Sequence, residues 1–146
     1  MTFGSRAAAA MSAYGPLCVG IDPHAHLLQQ WGLDDSLDGL DQFAATCVEA
    51  FAGKVAFAKP QSAFFERFGA AGVAILERTL QDLRHTGTLT ILDVKRGDIG
   101  STAEQYAIAA HQCVISRYGR TGDGKSHSRH DQCLAHRAGN LVEGCH

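Results

Sequence analysis

No apolar run in the chain approaches the ~18 consecutive residues that would span a bilayer, and no basic block stands out. Thirteen Lys and Arg are set against fifteen Asp and Glu, for a net charge of −2. The first lack argues against a membrane partner and the second against nucleic acid. Residues 1–11 hold one Arg and a short alanine run, too weakly apolar for the core of an export signal, so the cytoplasm is the expected location. Cysteine is odd in number, at five, which excludes a fully paired disulfide framework. Cys18 and Cys47 sit inside apolar patterns and read as core thiols. Residues 1–110 hold no Gly-x-Gly-x-x-Gly turn and no phosphate-binding P-loop run, which speaks against the nucleotide-cofactor forms of a doubly wound sheet.

What is present is a regular alternation of short apolar runs and amphipathic stretches. Phe3, Ala7, Ala10, Met11 and Tyr14 follow helical spacing, and Gly15-Pro16 stops that helix. Leu17–Ile21 reads as a buried strand ending in Asp22-Pro23. Leu37, Leu40, Phe43, Ala44, Cys47, Val48 and Phe51 line one face of a second helix. Val55–Ala58 is a second strand, followed by Lys59-Pro60-Gln61. Val73, Leu76, Leu80 and Leu83 mark a third helix ending near Gly87. Leu89–Lys95 is a third strand, after which Ser101 is placed to cap a fourth helix. Continuous apolar strands between amphipathic helices predict a parallel α/β fold. Asp22, Lys59, Asp93 and Lys95 fall at successive strand ends, where a (β/α)₈ barrel presents chemistry to its substrate.

Asp93 and Lys95 are two residues apart, so an extended chain would point both side chains to one face. A carboxylate beside an ammonium is also what a solvated surface ion pair looks like, and such pairs contribute little. The run Leu92-Asp93-Val94-Lys95-Arg96-Gly97-Asp98-Ile99-Gly100-Ser101-Thr102 is more specific. It resembles the Asp-x-Lys-x-x-Asp strand of orotidine monophosphate decarboxylases. Gly20-Ile21-Asp22-Pro23 resembles the first-strand segment of that family, and Lys59-Pro60-Gln61-Ser62-Ala63-Phe64-Phe65-Glu66 its second, in the form of the longer bacterial branch. The resemblance covers roughly residues 1–107.

The resemblance implies a (β/α)₈ TIM-barrel fragment comprising the first three β/α units. It implies decarboxylation of orotidine 5′-monophosphate, the last step of pyrimidine nucleotide synthesis, by a homodimer that needs no cofactor. By position, Asp22 would bond the ribose hydroxyls, and Lys59 would link the ribose to the carboxylate network. Asp93 would sit against the departing carboxylate, Lys95 would protonate C6, and Asp98 would reach into the partner subunit's site. The sugar-phosphate decarboxylases of the same barrel group share the Asp-x-Lys-x-x-Asp strand but use Mg²⁺, with a carboxylate where Lys59 stands. A lysine there repels the metal, so no metal is expected. His24 and His26 read as exposed loop residues, and Trp31, Phe64 and Phe65 as packing. Ser62 has no His–Asp pattern around it and is not read as a nucleophile.

Beyond residue 110 the chain changes character. From Tyr118 to His146 the large aliphatics are Leu134, Leu141 and Val142 alone, and the charge shifts from −4 over residues 1–110 to +2 over 111–146. The division expected is therefore a barrel part, 1–110, and an irregular C-terminal tail, 111–146. A barrel of this type takes about 250 residues, so an inactive truncated fragment is the alternative reading, with a frameshifted or disordered tail. His111, Cys113, His127, His130, Cys133, His136, Cys145 and His146 include zinc-ligand types, which keeps a small metal-binding module as a second alternative. They lack a Cys-x₂-Cys knuckle, which weighs against it.

Overall fold

The computed structural model of the chain describes residues 2–115, with side chains through His111. It divides into two compact units, the first ending at Val94 and the second beginning at Lys95.

The first unit opens with α1 (Phe3–Tyr14), capped by the Thr2 hydroxyl, which accepts from Ser5 N–H, and closed by Gly15 at φ 77°. Strand β1 (Cys18–Ile21) follows. Between it and α3 (Leu37–Phe51) lies a short helix, α2 (Ala25–Gln30). The Ser36 hydroxyl caps α3 by accepting from Gly39 N–H at 3.2 Å. Next come β2 (Phe57–Pro60), the single turn α4 (Ala63–Glu66), α5 (Gly69–His85) and β3 (Leu89–Thr90). The strands form one parallel sheet in the order β1-β2-β3. The two short helices escape sequence reading because six and four residues are too few to show a helical period.

All three strands differ from expectation in their limits, β1 only by starting one residue late, at Cys18. The second strand starts two residues late, because its ladder with β1 begins where Phe57 N–H meets the Leu17 carbonyl at 3.3 Å. Lys59 and Pro60 therefore lie within the strand and not after it. The third strand was expected to run to Lys95. Regular strand ends at Thr90, but the ladder continues in the same register: Leu89, Ile91 and Asp93 N–H donate to the carbonyls of Ala56, Ala58 and Pro60 at 3.2, 2.9 and 3.0 Å. Lys95 itself takes φ 44°, in the left-handed region, which ends the extended backbone. Strand alternation from Asp93 therefore does not extend to Lys95.

The core lies between one face of the sheet and the helices α3 and α5, which pack on each other. Ile21 and Ala58 from the sheet meet Leu40, Phe43 and Cys47 of α3 and Ile75, Leu76, Leu80 and Leu83 of α5, all buried. Burial pushes the Cys47 thiol up to about 11, as expected of a core residue. Asp41 and Arg78 pair across the two helices at their exposed rim. Gly72 is required for the close approach of α4 and α5, since a Cβ there would lie 2.0 Å from the Phe65 carbonyl oxygen. Gly72→Ala is expected to lower unfolding stability by about 1–3 kcal/mol through overpacking. A urea titration of the 146-residue chain checks this, and an unchanged midpoint would refute it.

In the second unit, α6 (Gly100–Ile115) begins at Gly100. Ser101, expected as its cap, lies inside the helix instead, because Gly100 at φ 58° makes the turn that starts it. The helix runs unbroken past residue 110.

Candidate active site

Alternation along the strands sorts their side chains cleanly. Ile21, Ala58 and Pro60 are buried toward the helices, while Cys18, Gly20, Phe57 and Lys59 face the other way and are less covered. Register aligns Cys18 with Phe57 and Leu89, and Gly20 with Lys59. One step further, Gln61 bridges to Asp93. A Cβ on Gly20 would lie 3.1 Å from Asp22 Oδ2, so the Asp22 carboxylate leans back over Gly20 on this same face. The face thus carries apolar residues at its lower end and a polar row of Asp22, Lys59, Gln61 and Asp93 at the carboxyl ends.

Within that row Lys59 Nζ donates to Asp93 Oδ2 at 3.2 Å, with side-chain exposures of 34% and 18%. Asp93 is held by its backbone on both sides: its N–H donates to Pro60 and its carbonyl accepts from Ser62 N–H at 3.0 Å. Its carboxylate is therefore fixed by β2 rather than by a free loop. Asp22 Oδ1 is buried with no hydrogen-bond partner among the described residues. An unsatisfied buried acceptor costs about 1–3 kcal/mol, which a hydroxyl donor from a ligand would recover. The ammonium, the anchored carboxylate and the open acceptor together suit a polar, hydroxylated anion.

The structure brings together three of the five residues singled out from sequence: Asp22, Lys59 and Asp93. Lys95 and Asp98 belong to the second unit, where Asp98 Oδ1 accepts from Ile99 N–H at 2.8 Å and Arg96 lies over the Tyr106 ring at 5.7 Å. Gln61 was not singled out, although its place two residues after Lys59 puts it on the same face. Also unforeseen are two ties between the loops after β1 and β2. The His24 and Phe64 rings stand 4.1 Å apart, and Arg67 clasps Asp35 through both nitrogens, one at 3.1 Å. The guanidinium bond holds the Asp35 carboxyl below its ordinary range.

His24 and His26 are exposed, with rings 5.2 Å apart. Trp31 packs on Phe43 at 4.7 Å and Phe65 is fully buried. Ser62 is buried, its hydroxyl without a partner among the described residues. Among the described residues no three His, Cys, Asp or Glu side chains gather to hold a metal, and no helix is long and apolar enough to cross a membrane. Of the tail's Cys and His, only the His111 side chain is described. Residues 111–115 continue α6, so the tail expected to be irregular from residue 111 begins as helix, while its other Cys and His side chains and residues 116–146 lie outside what is described.

A parallel sheet with helices on one face and a polar row along its carboxyl ends defines the chain as part of a (β/α)₈ barrel. The chain belongs to the family described as orotidine 5′-phosphate decarboxylase / HUMPS, whose pattern it matches over residues 15–118. It is 60% identical over 108 residues to the orotidine 5′-phosphate decarboxylase of Salinispora tropica, covering 74% of this chain and 39% of that protein. It is 61% identical over 105 residues to that of Streptomyces coelicolor, covering 72% of this chain and 38% of the relative. A crystal structure of a candidate orotidine 5′-phosphate decarboxylase from Streptomyces avermitilis aligns with a TM-score of 0.71 at 58% identity, over 74% of this chain and 38% of that one. The Leishmania donovani OMP decarboxylase aligns at 0.63 and 32%, over 78% and 41%. The chain therefore spans about two-fifths of the length of the relatives it matches.

Proposed function

We propose that residues 1–110 supply the first three β/α units of an enzyme that decarboxylates orotidine 5′-monophosphate to uridine 5′-monophosphate, acting in the cytoplasm as a homodimer. The observation that carries this reading is the Lys59–Asp93 pair at 3.2 Å, anchored at the strand ends beside the open oxygen of Asp22. In the reaction the bond between C6 and the carboxyl carbon breaks, CO₂ departs, and the electron pair stays on C6 as a carbanion. Asp93 crowds the substrate carboxylate with like charge. Lys95 stabilises the developing carbanion and delivers a proton to C6, which needs no metal or organic cofactor. Asp22 accepts from the ribose hydroxyls, Lys59 joins them to Asp93, and Asp98 serves the partner subunit's site.

The test is a chimera in which residues 1–107 are fused to the portion of the Streptomyces coelicolor relative that this chain does not match. Orotidine 5′-monophosphate should be consumed with stoichiometric release of CO₂ and uridine 5′-monophosphate. A folded, dimeric chimera without turnover would refute the assignment.

A further inference from the structure

We propose that His24 and Phe64 are a positioning pair for Asp22: their ring contact fixes the turn that carries its carboxylate relative to the Lys59–Asp93 pair. The proposal rests on the reading of Asp22 as the ribose acceptor and names what holds it in place. Asp22 and Asp93 are held differently. Asp93 is bound to the second strand by backbone on both sides, through Pro60 and Ser62. From β1, the last backbone bond to the second strand is made by the Ile21 carbonyl, which accepts from Gln61 N–H at 3.3 Å. Beyond it, among the described residues, no backbone bond crosses from the loop after β1 to the loop after β2. Asp22 Oδ1 has no hydrogen-bond partner among them either, so the carboxylate is aimed by its own backbone turn.

That turn is short and ends on His24. The Asp22 carbonyl accepts from His24 N–H at 2.8 Å, across a single residue, Pro23. Pro23 is fully buried, and its ring fixes φ. The His24 carbonyl accepts from Leu27 and Leu28 N–H at 2.9 and 3.0 Å to start α2, whose Leu28 is fully buried. A displacement of the imidazole is therefore passed to Asp22 through one proline. Phe64 is held as firmly on the other side. It belongs to α4, whose first turn hangs on Ser62: the Ser62 carbonyl accepts from Phe65 and Glu66 N–H at 2.9 and 2.8 Å, while its N–H donates to Asp93. With the rings 4.1 Å apart and inclined at 58°, the contact joins the turn of Asp22 to the anchor of Asp93. Asp35 and Arg67 close the same two loops further out, but their side chains are 36% and 35% exposed, and such pairs contribute little. The ring pair is the stiffer tie.

In the full 146-residue chain, amide hydrogen exchange reads this tie without any substrate. Phe64→Ala should speed exchange of the His24 N–H by about tenfold or more and leave that of Asp93 within about twofold of the parent. An unchanged His24 rate, or an equal rise at both amides, would overturn the proposal. Should Phe64→Ala leave no folded chain, Phe64→Leu, which keeps apolar volume without the ring, is read by the same criterion. In the fused chimera, Phe64→Ala should lower kcat/KM about fivefold or more, but less than about twofold once Asp22→Ala is present, because its effect passes through Asp22. Equal losses in the two backgrounds would also overturn it. So would a loss in His24→Phe, which keeps a ring but no imidazole, as large as that in His24→Ala. Selective exchange at His24 with a folded but inactive chimera would uphold the pair and count against the proposed activity, whereas turnover with additive losses would do the reverse.

Discussion

Lys95→Ala in the fused chimera is expected to reduce decarboxylation by ~10²–10⁴ or more, while uridine 5′-monophosphate still binds with an affinity near that of the parent. The expectation rests on a division of labour among the charged residues. Lys59 is committed to Asp93 through a 3.2 Å hydrogen bond, so its ammonium is engaged in holding that carboxylate. The C6 carbanion has no adjacent π system, and an ammonium both stabilises it and quenches it by proton transfer. Removing that group should therefore act on the chemical step and leave binding of the product nucleotide, which needs no proton, largely intact. Single-turnover kinetics and product titration calorimetry separate the two effects. Near-normal turnover would remove Lys95 from the mechanism. A parallel loss of rate and affinity would make it a binding residue instead.

The second large effect concerns Asp98. Chimeras carrying Asp98→Ala and Lys95→Ala should each be nearly inactive, yet an exchanged mixture should recover about a quarter of the parent activity, because half of a random set of symmetric dimers are mixed and each has one intact site. The motive is local. Asp98 stands past Gly97, in the unit that begins at Lys95, and its side chain is occupied by a bond to its own neighbour, Ile99 N–H. It is thus placed by the chain that leaves the strand and not by the sheet that holds Asp93. Recovery proportional to the fraction of mixed dimers, measured by differential tagging, checks the prediction. Complete inactivity at proven subunit exchange would assign Asp98 to its own subunit.

The α/β alternation, the three strands and the four longer helices were legible because each leaves a local trace: apolar runs, helical periods and Gly15 after α1. Asp22, Lys59 and Asp93 were legible as strand-end residues for the same reason, strengthened by the family resemblance of the segments around them. Neither α2 nor α4 was legible, since both are shorter than the period that would reveal them. The Asp35–Arg67 and His24–Phe64 ties join residues 32 and 40 positions apart, and no local pattern encodes such a pairing.

By itself, then, the sequence determined which residues are apolar, in what period, and which charged groups follow each strand, because these depend on neighbours one to four positions away. The tertiary structure decided what those groups do to one another. Parallel register brought Asp93 to Gln61 and within reach of Lys59, the missing Cβ of Gly20 let Asp22 lean over the sheet, and φ 44° at Lys95 ended the strand that alternation would have continued. Each is fixed by backbone hydrogen bonding and steric room between distant segments, quantities that exist only once the strands are side by side.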